Sequence, residues 1–331
     1  MEKSKKILWV VFTLMAFTLA LCIMFSILRN TESRYLKMLD FPRIQLFMAS
    51  LISLVLLVAM MKRWRWYDFL VIGFLLIGIV VNGSYLINYT SLVPVVVPSS
   101  THLNATDTPF SLLVTNVKMS NRKAELLINL IEFKKPDLIL AMEVDDWWDT
   151  QLQVIENDYP YSQHNTNEVA YGMVLYSKFP FEEINVDYLQ NKNVPSFEST
   201  IMLSDKKHIT LHCMHPVPPT QFKNLPDNEG QEETALKKMG KKVLNRKFPT
   251  IVAGDLNDVV WSHVDELTET EHILYDVRVG RGFYNSFDAE NIILRWPLDH
   301  VFVTDEFRLK TLERLPKISS DHFPIFVGLV I

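Results

Sequence analysis

Cysteine is scarce in this chain of 331 residues, which contains only Cys22 and Cys213. Cys22 lies inside an apolar run near the N-terminus and Cys213 lies in a later apolar segment, so a disulfide framework is not expected. Two isolated cysteines also exclude a zinc site of the paired C-x-x-C type. The cysteines therefore give no information about the compartment in which the protein works. The sequence also contains no internal repeat and no low-complexity tract.

Positive charge is absent from residues 88–117, and the charge of the whole chain is unevenly divided. Residues 1–104 contain ten Lys and Arg against four Asp and Glu, whereas residues 105–331 contain twenty-three against thirty-four. Affinity for a long polyanion comes from neutralising its phosphates. The acidic C-terminal part therefore argues against a strong non-specific nucleic-acid surface, while a small phosphorylated substrate held by a metal stays compatible with it.

Three long apolar runs occupy the first ninety residues, at about 7–28, 44–61 and 69–87. Each has about the length of a membrane span, and the basic-aromatic segment 62–67 suits a membrane interface. A cleaved signal peptide is the alternative for the first run, but this run is long and has no clear small-x-small cleavage site. Residues 1–88 are therefore predicted to form three transmembrane helices, followed by a linker at 89–109 rich in Ser, Thr, Pro and Val.

The basic residues around these runs predict an orientation. Six of them flank the N-terminus and the second loop, and four lie in the first loop, namely Arg29, Arg34, Lys37 and Arg43. The positive-inside rule then favours a cytoplasmic N-terminus. The prediction is a multi-pass protein of the cell (inner) membrane with an extracytoplasmic C-terminal domain, which has the lipid bilayer as a partner through three spans.

The apolar segment Ile251-Val252-Ala253-Gly254 ends in a glycine and is followed by Asp255 and Asn257. Residues i and i+2 of an extended segment point to the same side, so these two side chains can converge on one water or phosphate. A strand end with Asp and Asn is, by itself, more often explained by turn chemistry. The functional interpretation depends on the other segments of the chain.

Other apolar segments of the C-terminal part also adjoin polar side chains. If these strands lie side by side in a sandwich, the polar residues gather at one rim and form a pocket of carboxylates, amides and imidazoles. Oxygen-dominated ligands of this kind suit Mg²⁺ or Mn²⁺ better than zinc. The residues are Asn116, Glu143, His215, Asp255, Asn257, Asp299, His300, Asp321 and His322.

Residues 110–331 resemble the endonuclease/exonuclease/phosphatase superfamily, whose members include DNase I-like nucleases, sphingomyelinases and inositol-phosphate phosphatases. The resemblance implies an α/β (α+β) catalytic domain, a four-layered α/β/β/α sandwich, and the three leading runs make the chain similar to membrane-anchored bacterial members. The matching motifs are short, but their number and order are specific. They are Thr115-Asn116-Val117, Pro136-Asp137 through Glu143, Gly172 through Pro180, His215-Pro216-Val217-Pro218-Pro219, Gly254-Asp255-Leu256-Asn257, Leu298-Asp299-His300-Val301-Phe302 and Ser320-Asp321-His322-Phe323-Pro324.

The resemblance implies a metal site for Mg²⁺ or Mn²⁺. Glu143 corresponds to the principal metal-binding carboxylate, and Asn116 lies beside it. Asp321 is expected to support the metal or His322.

The resemblance also implies catalytic roles. Asp255 is expected to orient or deprotonate the attacking water, and Asn257 to bind a phosphate oxygen or the metal. His322 is expected to hydrogen-bond the scissile phosphate while Asp299 fixes its tautomer, because a carboxylate is the usual partner that aims such a ring. His215 takes the place of a second His or Tyr near the phosphate.

The sequence therefore predicts a membrane-anchored, metal-dependent phosphoesterase that cleaves a phosphodiester by in-line attack of water. Nucleic acid, a lipid head group and a small phosphate ester stay open as substrates, and no protein partner is predicted. The alternative is a non-catalytic binding domain on the same fold. A transporter built on the three runs is less favoured, because these runs contain no charged residue to mark an ion path.

Overall fold

The computed structural model describes residues 2–28, 34–60, 64–218, 225–227, 234–261 and 270–331. Within these residues, an N-terminal helical region precedes an α/β domain that contains two sheets of six strands. Arg29, Lys62 and Arg63, on which the predicted orientation partly depends, lie outside the described residues, as does Pro219 of one motif.

The N-terminal region consists of helices that pack around a small apolar core. Helices α1, α3 and α4 meet at Ala16, Leu57, Val71 and Leu75, which are all buried. Most of the other large apolar side chains described on these helices are exposed. The bounds are α1 (Glu2–Ser26), the short α2 (Arg34–Lys37), α3 (Arg43–Met60) and α4 (Trp66–Leu86).

The length and composition of these helices do not support the prediction of three membrane spans. Among the described residues, one helical stretch, Trp66–Tyr89, is long and apolar enough to cross a membrane. The apolar parts of the other two helices, Thr13–Ser26 and Arg43–Ala59, are shorter. At 1.5 Å per residue, a helix needs about 20 apolar residues to cross a hydrocarbon core about 30 Å thick.

The first sheet joins strands from the beginning, middle and end of the domain. Its central strand β1 (Pro109–Asn116) pairs in parallel with β2 (Leu138–Met142) and antiparallel with β12 (Ile325–Val330). The strand order is β11-β12-β1-β2-β4-β3, where the remaining strands are β3 (Tyr161–Asn165), β4 (Met173–Ser177) and β11 (Arg308–Arg314).

The second sheet is built from the chain between the two halves of the first sheet. Its strand β8 (Thr250–Asp255) pairs in parallel with β7 (His208–Cys213) and antiparallel with β10 (Asp299–Val303). The strand order is β5-β6-β7-β8-β10-β9, where the remaining strands are β5 (Phe181–Asp187), β6 (Ser196–Met202) and β9 (Tyr275–Asp276).

The two sheets pack face to face, and helices cover their outer faces. Successive side chains of a strand point to opposite faces, so Leu112 and Val114 enter the core between the sheets while Leu113 packs under helices. The outer face of the first sheet carries α5 (Ala124–Lys134) and α6 (Asp146–Leu152), and that of the second carries α7 (Thr234–Leu244). The predicted mixed α/β fold with two sheets is confirmed.

The helical region is joined directly to the α/β domain through an apolar contact at the C-terminal end of α4. Leu86 and Tyr89 pack against Val260 and Trp261 of the loop that follows β8. The Tyr89 hydroxyl donates to the carbonyl of Val260 (2.5 Å), and Nε1 of Trp261 donates to the carbonyl of Asp40 (2.8 Å). The predicted domain boundaries, with a linker at 89–109, stay a prediction.

Gly254 allows β8 to end so that Asp255 and the following Asn257 face the cleft. Its φ is +144°, and a Cβ at this position would overlap the carbonyl oxygen of Met214. We expect Gly254→Ala to lower the melting temperature by several degrees, because such a backbone conformation alone costs about 1–3 kcal/mol for other residues. Thermal unfolding followed by circular dichroism measures this, with Gly73→Ala as control because a Cβ there has nothing within 4 Å. Equal melting temperatures for the two variants would contradict the explanation.

Candidate active site

The predicted site residues come from both sheets and meet at one rim. Asn116 is the last residue of β1, and Glu143 follows β2, which is parallel to it. Asp255 is the last residue of β8 and lies opposite Asp299, the first residue of the antiparallel β10. His322 lies in the segment that leads into β12. Strand pairing therefore brings together side chains that are far apart in the sequence.

His322 is held between two carboxylates. Its Nδ1 donates to Oδ2 of Asp299 (2.8 Å), and its Nε2 lies 3.4 Å from Oδ2 of Asp255. The ring packs on Phe287, with the ring centroids 4.9 Å apart. Burial opposes protonation, but the charges of Asp299 and Asp255 outweigh it and raise the pKa of His322 to about 10. The ring is therefore an imidazolium at neutral pH, and the role predicted for Asp299 in fixing it stays a prediction.

Asp255 and His215 form the buried floor of the site. Oδ2 of Asp255 lies 3.7 Å from Nε2 of His215, whose ring packs on Tyr171. Burial raises the pKa of Asp255 and lowers that of His215. Within the described part of the chain, Nδ1 of His215 has no hydrogen-bond partner. The site therefore contains one neutral imidazole, His215, and one positively charged imidazolium, His322.

Asn116 links the carboxylates of the two sheets. Its Nδ2 donates to Oε1 of Glu143 (2.9 Å) and to Oδ2 of Asp255 (3.1 Å). The other carboxylate oxygen of Glu143 accepts the backbone N–H of Met119 (3.1 Å). Burial raises the pKa of Glu143, and these two hydrogen bonds oppose that shift. Asn116 thus lies beside Glu143 and bridges Glu143 and Asp255 through its amide group.

Asn257 and Asp321 complete the polar wall. Asn257 adopts a φ of +52°, its N–H donates to Oδ1 of Asp255 (2.9 Å), and its Nδ2 donates to the carbonyl of Pro216 (2.9 Å). Its side-chain oxygen is thereby directed away from Pro216. Asp321 lies at the edge of the site and forms an ion pair with Lys118 (3.1 Å).

These groups face one cavity of about 430 Å³, which has a polar side and an apolar side. The polar side contains most of the predicted residues, and the apolar side is formed by aromatic and aliphatic residues. Asn116 and Asp299 lie behind the cavity wall and reach it through their hydrogen-bond partners. The lining residues are Phe41, Glu143, Ala170, Tyr171, His215, Pro218, Leu225, Asp255, Asn257, Phe287, Leu298, Asp321 and His322.

The donor set of this cavity fits a hard divalent cation. Glu143, Asp255, Asn257 and Asp321 supply oxygen atoms, and Cys213 is buried in the core between the sheets. Oxygen ligands of this kind are preferred by Mg²⁺ and Mn²⁺. A second grouping, Asp255, Asp299 and His322, has one ligand atom from each residue within 4.8 Å of the others. Both nitrogens of His322 face carboxylates there, so the oxygen-rich side at Glu143 is the better cation site.

Several residues of the site have no signal in the sequence pattern. Phe41 lies in the helical region, and the aromatic rings of Tyr171 and Phe287 resemble ordinary core residues in sequence. Arg278 is a buried cation that supports β10: its guanidinium donates to the carbonyl of Asp299 (3.0 Å) and contacts Nδ1 of His300 (3.0 Å). Nε2 of His300 contacts the carbonyl of Asp258 (2.7 Å), so His300 is structural.

The fold and the cleft together define a class of protein, a phosphate-ester hydrolase built on a two-sheet α/β sandwich. The family model described as the Endonuclease/Exonuclease/phosphatase family matches residues 113–322, and the chain belongs to this family. Members of this family are hydrolases that act on phosphate esters, which agrees with the predicted enzyme class. No curated protein matches the chain significantly.

Solved structures with low sequence identity share the fold. Humanized D. rerio TDP2 superposes with a TM-score of 0.53 at 15% identity, over 67% of this chain and 98% of that chain. The human nocturnin catalytic domain gives a TM-score of 0.51 at 15% identity, over 67% of this chain and 93% of the nocturnin chain. A mannosyl-6-phosphatase from Bacteroides thetaiotaomicron VPI-5482 gives a TM-score of 0.50 at 15% identity, over 67% of this chain and 100% of the phosphatase chain. These similarities concern the fold alone.

Proposed function

We propose that the cleft hydrolyses a phosphodiester by in-line attack of water with the help of a divalent cation. The observation that carries this proposal is the placement of His322 between Asp255 and Asp299, next to Glu143 in one cavity. The phosphoesterases among the solved structures of this fold support it, since TDP2, nocturnin and the mannosyl-6-phosphatase are similar to this chain. The non-catalytic alternative would not require a buried imidazolium and a carboxylate on the same cavity.

Asp255 is the proposed partner of the attacking water. Burial raises its pKa, which brings a carboxylate closer to the proton affinity that a general base needs. Asn257 and His215 line the same cavity as Asp255 and are proposed to bind phosphate oxygens. His322 is proposed to donate its Nε2 proton to a phosphate bound beside Asp255, while Asp299 holds the proton on Nδ1. Preorganised donors of this kind stabilise charge that develops in the transition state.

Glu143 is the proposed main ligand of the cation, with Asn116 and Asp321 as its neighbours. Four acidic residues surround the cleft, Glu143, Asp255, Asp299 and Asp321. Among the described residues, Lys118 and an imidazolium at His322 are the cations that pair with them, since burial lowers the pKa of the nearby His215. The excess negative charge favours a bound cation. When bound, Mg²⁺ or Mn²⁺ would neutralise charge on the phosphate and on the departing oxygen.

The helical region is proposed to anchor the enzyme in a bilayer, with α4 crossing it. Support comes from the apolar residues that α1, α3 and α4 expose, such as Phe17, Ile52 and Val80, since a contiguous exposed apolar surface is unusual for a protein surrounded by water. The inner-membrane location and the extracytoplasmic side of the α/β domain stay predictions from the distribution of basic residues.

The proposed function is tested by metal removal from the full chain in detergent. Hydrolysis of bis(p-nitrophenyl) phosphate should require added Mg²⁺ or Mn²⁺, because the carboxylates of the cleft cannot stabilise negative charge on phosphate by themselves. EDTA should abolish the reaction, and excess Mg²⁺ or Mn²⁺ should restore it. Circular dichroism before and after EDTA is the control for unfolding. Equal rates with EDTA and with metal would overturn the mechanism.

A further inference from the structure

We infer that the substrate is a phosphodiester carried by a membrane lipid, which the cleft takes from the bilayer that holds the helices. This inference rests on the proposed function and concerns the substrate class of the same site. It follows from three observations. The helical region contributes Phe41 to the cavity, an exposed apolar loop lies beside α3, and the described residues that line the cavity include no lysine or arginine.

The first observation is that the helical region forms part of the cleft wall. Phe41 lies between α2 and α3 and lines the same cavity as Glu143 and His322. Its ring packs edge-on against Trp296 of the α/β domain, with the ring centroids 6.0 Å apart. Phe41 precedes α3 by two residues. The cleft therefore lies at the level where α3 leaves the domain, which is the membrane interface if the helices are in a bilayer.

The second observation is an exposed apolar loop beside α3. Ile292 is 87% exposed and Ile293 is 76% exposed, and the loop is held in shape by Asn291, whose Oδ1 accepts the N–H groups of Ile293 and Leu294. Nε2 of Gln45, in the first turn of α3, donates to the carbonyl of Ile293 (2.7 Å). The loop is thus fixed next to the beginning of α3.

This loop continues the apolar surface of the helices. Past Gln45, α3 exposes Met48, Leu51 and Ile52. A bilayer that surrounds these side chains also meets the loop of Ile292 and Ile293, since the carbonyl of Ile293 is bonded to Gln45, and Gln45 precedes Met48 by about one helical turn. Apolar side chains at an interface are stabilised by insertion between lipids. A lipid in the bilayer is therefore the occupant that matches this surface.

The third observation is the absence of lysine and arginine among the described residues that line the cavity. Proteins that hold nucleic acid neutralise several consecutive phosphates with basic side chains. This cleft offers polar groups for one phosphate, and the apolar residues Phe41, Phe287 and Leu298 line the same cavity. A single phosphate next to an apolar group is the chemistry of a phospholipid.

The reaction then proceeds as a hydrolysis at phosphorus. The water oxygen forms a bond to phosphorus, and the P–O bond to the glycerol oxygen of the lipid breaks. One proton of the water passes to that departing oxygen, so the products are diacylglycerol and a phosphorylated head group. Asp255 lies on the buried floor, and in-line attack directs the departing group away from it, toward the mouth and the bilayer.

The test compares two substrates with the full chain reconstituted in vesicles of phosphatidylcholine and phosphatidylglycerol. One substrate is the vesicle lipid, with diacylglycerol measured by mass spectrometry, and the other is soluble bis(p-nitrophenyl) phosphate. The double variant Ile292→Asn/Ile293→Asn should lose about tenfold or more of the lipid reaction, given the free energy of burying two apolar side chains. Its rate on the soluble diester should stay within about twofold. The matched control is Phe133→Asn/Val154→Asn, which changes two exposed apolar residues on the outer layer of the first sheet.

The outcomes separate this inference from the function on which it rests. Diacylglycerol release that depends on Ile292 and Ile293, but not on the control pair, supports the inference. Hydrolysis of the soluble diester without lipid hydrolysis overturns the lipid inference and leaves the proposed function standing. Preferred cleavage of single-stranded or duplex DNA, or of RNA, added to the same samples also overturns it. No hydrolysis of any ester rejects the proposed function and the inference together.

Discussion

Replacing His322 with asparagine should lower kcat/KM on a phosphodiester by about 10²–10⁴. Asparagine preserves a side-chain donor but removes the positive charge that Asp255 and Asp299 maintain on the ring. The loss of that charge also leaves two buried carboxylates next to each other, with Oδ2 of Asp299 no longer bonded to Nδ1 of His322. Steady-state kinetics on bis(p-nitrophenyl) phosphate at saturating Mg²⁺ or Mn²⁺ measure the effect.

His164→Asn is the matched control for this prediction. His164 also pairs with a carboxylate, since its Nδ1 lies 2.6 Å from Oδ1 of Asp149, but it is on β3 at the edge of the first sheet. The same substitution there should change kcat/KM by less than about twofold. A His322→Asn enzyme with the activity of the wild type would show that the imidazolium takes no part in the reaction. Circular dichroism of both variants distinguishes a catalytic loss from unfolding.

Replacing Glu143 with glutamine should lower the rate of metal-dependent hydrolysis by about 10³-fold or more, if this carboxylate is the main ligand of the cation. Glutamine keeps the size of the side chain, but its single oxygen can replace only one of the two carboxylate oxygens that accept from Asn116 and Met119, so one local hydrogen bond is lost. Titration with Mn²⁺ should show that the variant needs a much higher metal concentration, which a purely structural role would not produce.

The control for Glu143 is Glu132→Gln, an exposed glutamate of α5 outside the cleft. It should leave both the rate and the metal dependence unchanged. If Glu143→Gln keeps the metal dependence of the wild type, the cation is bound elsewhere, and the group of Asp255, Asp299 and His322 becomes the next candidate.

The polar rim could be predicted from the sequence because strand geometry constrains it. Asn116, Glu143 and Asp255 each adjoin an apolar strand, and parallel strands place their ends at the same edge. The pairing of His322 with Asp299 was available only through the resemblance to a family, because these residues lie in separate segments and nothing local joins them. The register of β10 against β8 places Asp299 opposite Asp255, and the segment before β12 brings His322 next to both.

The apolar side of the cleft could not be predicted in the same way. Phe41, Phe287 and Leu298 are hydrophobic residues among many, and a sequence pattern does not distinguish a cleft wall from a core. The prediction of three membrane spans was not supported because, among the described residues, only the helical stretch Trp66–Tyr89 combines the length and the apolar composition of a span. The apolar part of α3 stops at Ala59.

The contact of Phe41 with Trp296 has a consequence for how this protein can be divided. A boundary placed in the predicted linker at 89–109 removes Phe41 from the cavity lining along with the helices. The polypeptide is in this respect a single working unit, in which the helical region also contributes a residue to the lining of the cavity. Exchange of the first hundred residues for an unrelated tether would alter substrate selection, even though every acidic and imidazole group stayed in place.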